Sequence, residues 1–384
     1  MAPAAPPGSA AGARTLVVDA DSHVMEPADL WQERLEPRYR DRAIRIVEVD
    51  GVEQLIMGEQ VVLAGTLAGL GGVHRDRMDL FAGGLRYVDG CPPASYDPDE
   101  RVRLYDEWGV DAGVVFPTIG ILPFPCEDNE LTSAYCRAYN RWQADFAAGA
   151  RGRVLPIAHL NLGDLDEARR ELQWCLDQGF KGVFLPPEPV GVNRPGEAHF
   201  DPLWRMCAEA GVPACIHVVV RFGGAAVPYA AWHQAGAGLL FGFALGAPGQ
   251  IIPTVASMVL DGVFDRVPEL KVLCVEAGAG WAGHLMDRLD EKHSVFGAMA
   301  PPLELKPSDY LRRNVWYVAE PEERTIGAML DIVGEDRILW GSDFPHIDST
   351  LEAPHLIRRQ LEDLSPTRRS AVLGGNAAKL FGLS

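Results

Sequence analysis

Residues 16–26 read LVVDADSHVME, an apolar run that turns into alternating Asp19, Asp21 and His23. Side chains two apart on a strand share a face, so these three are expected to point together where the strand ends. A carboxylate and an imidazole on one face are half of a divalent-metal site. The same residues would also serve as a strand cap and the start of a turn. Similar residue types recur at the ends of later apolar runs: His159 after VLPIA, His217 in CIHVVV, Glu276 after KVLCV, and Asp343 in LWGSDFPH. Singly, each has a plain structural reading. His159 suits a strand-to-loop boundary, His217 a satisfied core histidine, and Asp343 a turn cap. Jointly they favour a metal centre, provided the fold brings the strand ends to one place.

The elements that must do this are βα repeats. Asp97-Pro98-Asp99-Glu100 supplies an N-cap, a proline at the first helical position and acids in the first turn. A helix is therefore predicted to start there and end at Gly109, followed by strand 112–116. Helix 129–148, strand 154–159, helix 165–177, strand 182–185, helix 202–210 and strand 214–220 come next. A helix near 252–260, strand 271–276, helix 281–295, strand 315–319, helix 322–332, strand 338–340 and two C-terminal helices complete the pattern. Counted from Leu16, eight near-continuous apolar strands alternate with helices, which is the pattern of a parallel sheet covered on both faces. Eight such units favour a closed (β/α)8 TIM barrel of the α/β class. Catalytic groups in that fold stand at the C-terminal strand ends, and the residues above sit there. No GxGxxG follows the first strand, which disfavours dinucleotide binding.

Residues 15–384 are expected to form a single domain with insertions at about 25–96 and 221–250. The first holds two predicted strands, 44–49 and 54–62, joined through Asp50-Gly51, a hairpin turn signal. Arg75 and Arg77 there, with Arg221, Phe222 and Trp232 in the second, are candidates to enclose a substrate. Residues 1–14, rich in Ala, Pro and Gly, read as a disordered tail without the features of a signal peptide.

The 384 residues hold 35 basic and 53 acidic side chains, a net charge of −18. Such a balance argues against nucleic acid or an anionic membrane as partner. Seven scattered cysteines without CxxC spacing suggest free thiols in a reducing, cytoplasmic setting. No segment reads as long and apolar enough to span a bilayer; the nearest, residues 235–247, is short and carries glycines.

DADSHVMEP, GFKGVFLPP, CIH, FDRVPELKVLCVEAGAGW, LWGSDFPH and GNAAKLFGL together resemble the amidohydrolase superfamily from about Leu16 to Leu383. More narrowly they resemble its branch of aminocarboxymuconate semialdehyde, resorcylate and dihydroxybenzoate decarboxylases. The resemblance implies one divalent metal on Asp21, His23, His217 and Asp343, with zinc expected first and manganese or Fe(II) as alternatives. Asp21 stands where the family has His or Glu. Glu276 stands where it often has an acid–base histidine. Catalytic roles are then expected for Asp343, Glu276 and His159, with Asp19 supporting the strand end and Glu26 either nearby support or a helix start. Lys181, before its strand, is expected to be structural. The expected function is non-oxidative decarboxylation of a small aromatic or unsaturated carboxylic acid. Metal-dependent hydrolysis is the alternative, and a non-catalytic binding barrel the third reading. A homodimer is expected by analogy.

Overall fold

The structure, a computed structural model, describes residues 15–122, 128–220 and 238–383. The predicted tail and Arg221, Phe222 and Trp232 lie outside these residues. The strands are β1 (Val18–His23), β2 (Arg45–Val49), β3 (Val52–Met57), β4 (Gln60–Ala64), β5 (Ala112–Phe116), β6 (Val154–Ala158), β7 (Gly182–Leu185), β8 (Ala214–His217), β9 (Val272–Val275), β10 (Val315–Ala319) and β11 (Ile338–Trp340). Eight of them form one parallel sheet in the order β1-β5-β6-β7-β8-β9-β10-β11. A parallel bridge between Ser22 and Phe344 links its two edges into a barrel.

Alternation along each strand separates two cores. Val18, Ala20, Val114, Phe116, Leu155, Ile157, Phe184, Cys215, Leu273, Val275, Val318 and Leu339 pack as one cluster inside the barrel. Val115, Val183, Ile216, Cys274, Tyr317 and Ile338 pack instead with the surrounding helices. Ala377, Leu380 and Phe381 of helix Asn376–Phe381 join the inner cluster and close its lower end. Side chains therefore fill the barrel, and only the upper mouth is left for chemistry.

Local signals act as expected at helix Pro98–Trp108. The Asp97 carboxylate accepts from the N–H groups of Asp99 and Glu100, Pro98 opens the helix, and Gly109 ends it at φ 62°. In the first insertion, Asp50 and Gly51 both adopt positive φ, 52° and 77°, as a two-residue hairpin turn requires. The expected second strand there is two strands, because Gly58 at φ 61° turns the chain between β3 and β4.

Two further expectations change. Strand β8 stops at His217, so Val218–Val220 is not strand. Helix Gly238–Leu260 starts well before residue 252. Its Leu240–Leu260 part is long and apolar enough, by composition, to cross a membrane, contrary to the reading from residues 235–247 alone. Ile251, Val255, Met258 and Val259 of that helix are fully buried in the outer core, so one face of its second half serves the barrel.

Candidate metal centre

The end of β1 is irregular. Asp19 pairs with Gly113 but Ser22 pairs with Val115, so β1 carries one more residue than β5 across this interval. The irregularity separates side chains that simple alternation would group. Ser22 Oγ donates to Val114 O and receives Nη1 of the fully buried Arg101. Arg101 also donates to the carbonyls of Ala94 and His23, fixing the strand end from outside. Asp19 turns towards the β11 loop, where its carboxylate accepts from Ser342 N (2.9 Å) and Ser342 Oγ (2.6 Å). Burial pushes Asp19 up to about 7, against these hydrogen bonds. Asp19 thus holds the GSD turn in place, and Asp21 and His23 are left to face the mouth.

The loop after β11 is tied to β1 by backbone as well. Ser342 N and Asp343 N both donate to Asp21 O, and His23 N donates to Phe344 O. Asp343 and Glu276 are non-glycine residues at positive φ, 55° and 57°. Strained backbone of this kind concentrates at functional sites, and here each carboxylate sits where its strand gives way to loop.

The resulting donors converge. His23 Nδ1 lies 2.7 Å from Pro117 O, and His217 Nδ1 lies 3.0 Å from Val218 O. A carbonyl only accepts, so each Nδ1 carries a hydrogen, and in the neutral imidazole Nε2 then presents a lone pair. Burial first, and then His346, push His23 down to about 3, so it is neutral. The two Nε2 atoms are nevertheless only 3.2 Å apart. Asp21 Oδ1 is 3.4 Å from His23 Nε2 and 3.6 Å from His217 Nε2. Asp343 Oδ1 is 3.3 Å from His23 Nε2. Glu276 Oε2 is 3.4 Å from His217 Nε2. Among the described residues, Asp21 Oδ1, Glu276 Oε2 and Asp343 Oδ1 are buried without a hydrogen bond, the last with only an ion-pair contact to His346 Nδ1 at 2.8 Å.

Lone pairs of two imidazoles and three carboxylates facing one another repel unless a cation lies among them. Burial, then Asp343 and Asp21, push the Glu276 carboxyl well above its usual range. Burial, then Asp348 and Asp21, do the same to Asp343. The donor set therefore fits a divalent cation. The four residues expected as ligands fall in two donor groups that share His23: Asp21, His23 and His217 in one, and His23 and Asp343, with Glu276 and His346, in the other.

His159 is not among them. Its Nε2 lies 2.8 Å from Gly120 O, its Nδ1 3.3 Å from Cys136 Sγ, and its ring stacks on Phe184. Both ring nitrogens are engaged, and burial pushes the group down to about 4. Glu26 is an anchor. Its carboxylate accepts from the N–H groups of Thr118, Ile119 and Gly120, although burial holds it up at about 7. Arg77 donates to the carbonyls of Ile347 and Ser349, and Arg75 to that of Asp89. These bonds bind the insertion down and do not direct the guanidinium groups at the mouth. Lys181 precedes β7 at the closed end, as expected.

Two residues were missed in the sequence. His346 packs against His23 with the rings tilted by 35° and their centroids 3.9 Å apart, places Nδ1 2.8 Å from Asp343 Oδ1, and meets Thr118 Oγ1 through Nε2 at 3.1 Å. Its place three residues after Asp343 in GSDFPH was the available signal. Glu320 follows β10, and burial, then Asp21, push it up to about 8.

A family model described as Amidohydrolase matches residues 18–383. A 2-amino-3-carboxymuconate-6-semialdehyde decarboxylase of Dictyostelium discoideum is 22% identical over 292 residues, covering 75% of this chain and 77% of that one. An amidohydrolase structure from Mycobacterium avium subsp. paratuberculosis K-10 superposes with TM-score 0.78 at 25% identity, covering 96% and 99% of the two chains. A dihydroxybenzoic acid decarboxylase from Polaromonas sp. JS666, with bound manganese and 2-nitroresorcinol, gives TM-score 0.64 at 18% identity, covering 96% and 98%.

Proposed function

The chain belongs to the amidohydrolase family, and from that premise we propose a metal-dependent, non-oxidative decarboxylase of a small aromatic or unsaturated carboxylic acid. The observation that carries this is a pair of donor groups that share His23 at the barrel mouth, Asp21 with His23 and His217, and His23 with Glu276, Asp343 and His346; among the described residues Asp21, Glu276 and Asp343 each keep one buried oxygen without a hydrogen bond. The decarboxylase relatives supply the choice of reaction. A divalent cation, zinc or manganese, would supply Lewis acidity to the substrate carboxylate and an adjacent oxygen.

The protein's own groups do the rest. His23 and His217 are held in place by Nδ1–H bonds to the carbonyls of Pro117 and Val218. Asp21 and Asp343 compensate positive charge beneath the substrate. Glu276, whose carboxyl burial and neighbouring carboxylates push upward, holds a proton at the mouth and delivers it to the carbon that loses CO2. Release of CO2 from a panel of hydroxybenzoates and carboxymuconate-like acids, with no incorporation of solvent oxygen into product, tests the proposal. Products carrying solvent oxygen and no CO2 release would overturn it.

Hydrolysis is the second reading, favoured by the acidity of the mouth. Glu276, Glu320 and Asp348 add carboxyl groups around Asp21 and Asp343, and a substrate without negative charge meets less repulsion there. The same product analysis separates the two. A single domain over residues 15–384, a homodimer and a cytoplasmic location complete the proposal. Limited proteolysis tests the first, sedimentation the second and fractionation of native cells the third. The six described cysteines are all unpaired, which supports a reducing compartment.

A further inference from the structure

We infer that Glu276 is itself a ligand: in the substrate-free protein its Oε2 joins Asp21, His23, His217 and Asp343 on one divalent cation. The inference rests on the metal reading of the site and not on the choice between lyase and hydrolase.

The distances make the case. Metal–donor bonds of about 2.0–2.2 Å place neighbouring donors on one ion roughly 3.0–3.5 Å apart. Glu276 Oε2 stands 3.4 Å from His217 Nε2, the same interval that Asp21 Oδ1 and Asp343 Oδ1 keep from His23 Nε2, 3.4 and 3.3 Å. A carboxylate oxygen of Glu276 also lies within 4.8 Å of donor atoms on His23, Asp343 and His346. Chemistry closes the remaining options. His217 Nδ1 donates to Val218 O, so in the neutral ring Nε2 has no hydrogen to offer Oε2. A proton placed between them would occupy the only lone pair with which His217 can bind metal. Among the described residues Oε2 is buried and has no hydrogen bond. His346 differs, because its Nε2 already meets Thr118 and its Nδ1 lies against Asp343. The positive φ of Glu276 aims the side chain inward as β9 ends.

Three carboxylates with two imidazoles shift the donor balance towards oxygen, and so towards manganese relative to zinc. Displaced from the ion, Glu276 would be a carboxylate that takes the acidic proton of the substrate's own carboxyl or hydroxyl group and returns it to the carbon that loses CO2, so the proton it holds in its working role comes from the substrate.

The test is direct binding to the metal-stripped full-length protein. Mn(II) and Zn(II) affinities and the Co(II) visible spectrum are compared for wild type and Glu276→Gln, with circular dichroism of the metal-free forms as the folding control. The expected result is weak Co(II) bands of a five- or six-coordinate ion in wild type, and stronger, shifted bands in the variant. Mn(II) affinity should fall by about tenfold or more, and Zn(II) affinity by less. If Glu276→Gln does not fold, Glu276→Asp, which keeps the charge but withdraws the oxygen, should show the same shift in direction. Wild-type affinity and an unchanged Co(II) spectrum in a folded variant would overturn the inference alone. Failure of the wild type to bind any of the three ions would overturn the metal reading with it.

Discussion

Gly341 lies against Asp21 so closely that a Cβ on Gly341 would stand 2.3 Å from Asp21 Cβ and 3.1 Å from its Cα. Here the last strand meets the first, and the approach lets Ser342 N and Asp343 N reach Asp21 O. Gly341→Ala should force β11 from β1 and cost about 1–3 kcal/mol, with loss of metal affinity because Asp21 and Asp343 move apart. Urea unfolding and metal titration check both effects. Unchanged stability would mean that the seam yields without cost.

Asp19 acts through Ser342. In Asp19→Asn the side chain has one acceptor oxygen where the carboxylate uses two, one for Ser342 N and one for Ser342 Oγ. An expected loss of about 1–3 kcal/mol should come with weaker metal retention, measured as metal content after gel filtration. Full retention of metal would place the turn's support elsewhere.

Removal of the cation should lower thermal stability, because the donor groups repel without it. A metal binding only the folded state at about a thousandfold over its Kd contributes roughly 4 kcal/mol. Scanning calorimetry before and after chelation, with readdition of manganese or zinc, should show a reversible fall in Tm. An unchanged Tm would count against the donors binding a metal at all.

His346 should tune the centre through Asp343. His346→Leu removes the 2.8 Å contact to Asp343 Oδ1 and the bond to Thr118, while an apolar side chain can still cover the His23 ring. Partners of ligands commonly set affinity by roughly 10–100-fold. Metal titration of the folded variant should fall in that range, and wild-type affinity would show that Asp343 needs no such support.

Stability should depend on pH through His159. The folded group is pushed down to about 4 by burial, against an unfolded value near 6.5. Between these values the unfolded chain binds more protons, so stability rises with pH. The contribution is fully present above about 6.5 and is lost as pH falls towards 4, on the order of 3 kcal/mol in all. Urea unfolding of wild type and His159→Gln at pH 7.5 and 5 should show a smaller fall in the variant. Equal falls would assign the slope to other groups.

The eight βα units were legible because each carries its own punctuation. Asp97-Pro98 opens a helix and Gly109 ends it whatever lies around them, and apolar strands mark a sheet buried on both faces. Asp21, His23, His217 and Asp343 were legible because each ends or follows a strand, and a barrel sends all such ends to one mouth. What lies within one strand end was not legible. The extra residue in β1 sends Asp19 to Ser342 and Asp21 to the mouth, and only pairing with β5 and β11 decides this. The surroundings of His159 were hidden for a related reason: Gly120 and Cys136, distant in sequence, meet its two ring nitrogens. His346 gained a role only when β11 closed against β1 and laid its ring on His23. The sequence alone determined which strand ends meet, through local signals of helix, strand and turn. Long-range packing decided which atoms there are left without hydrogen bonds, and therefore which can hold a cation.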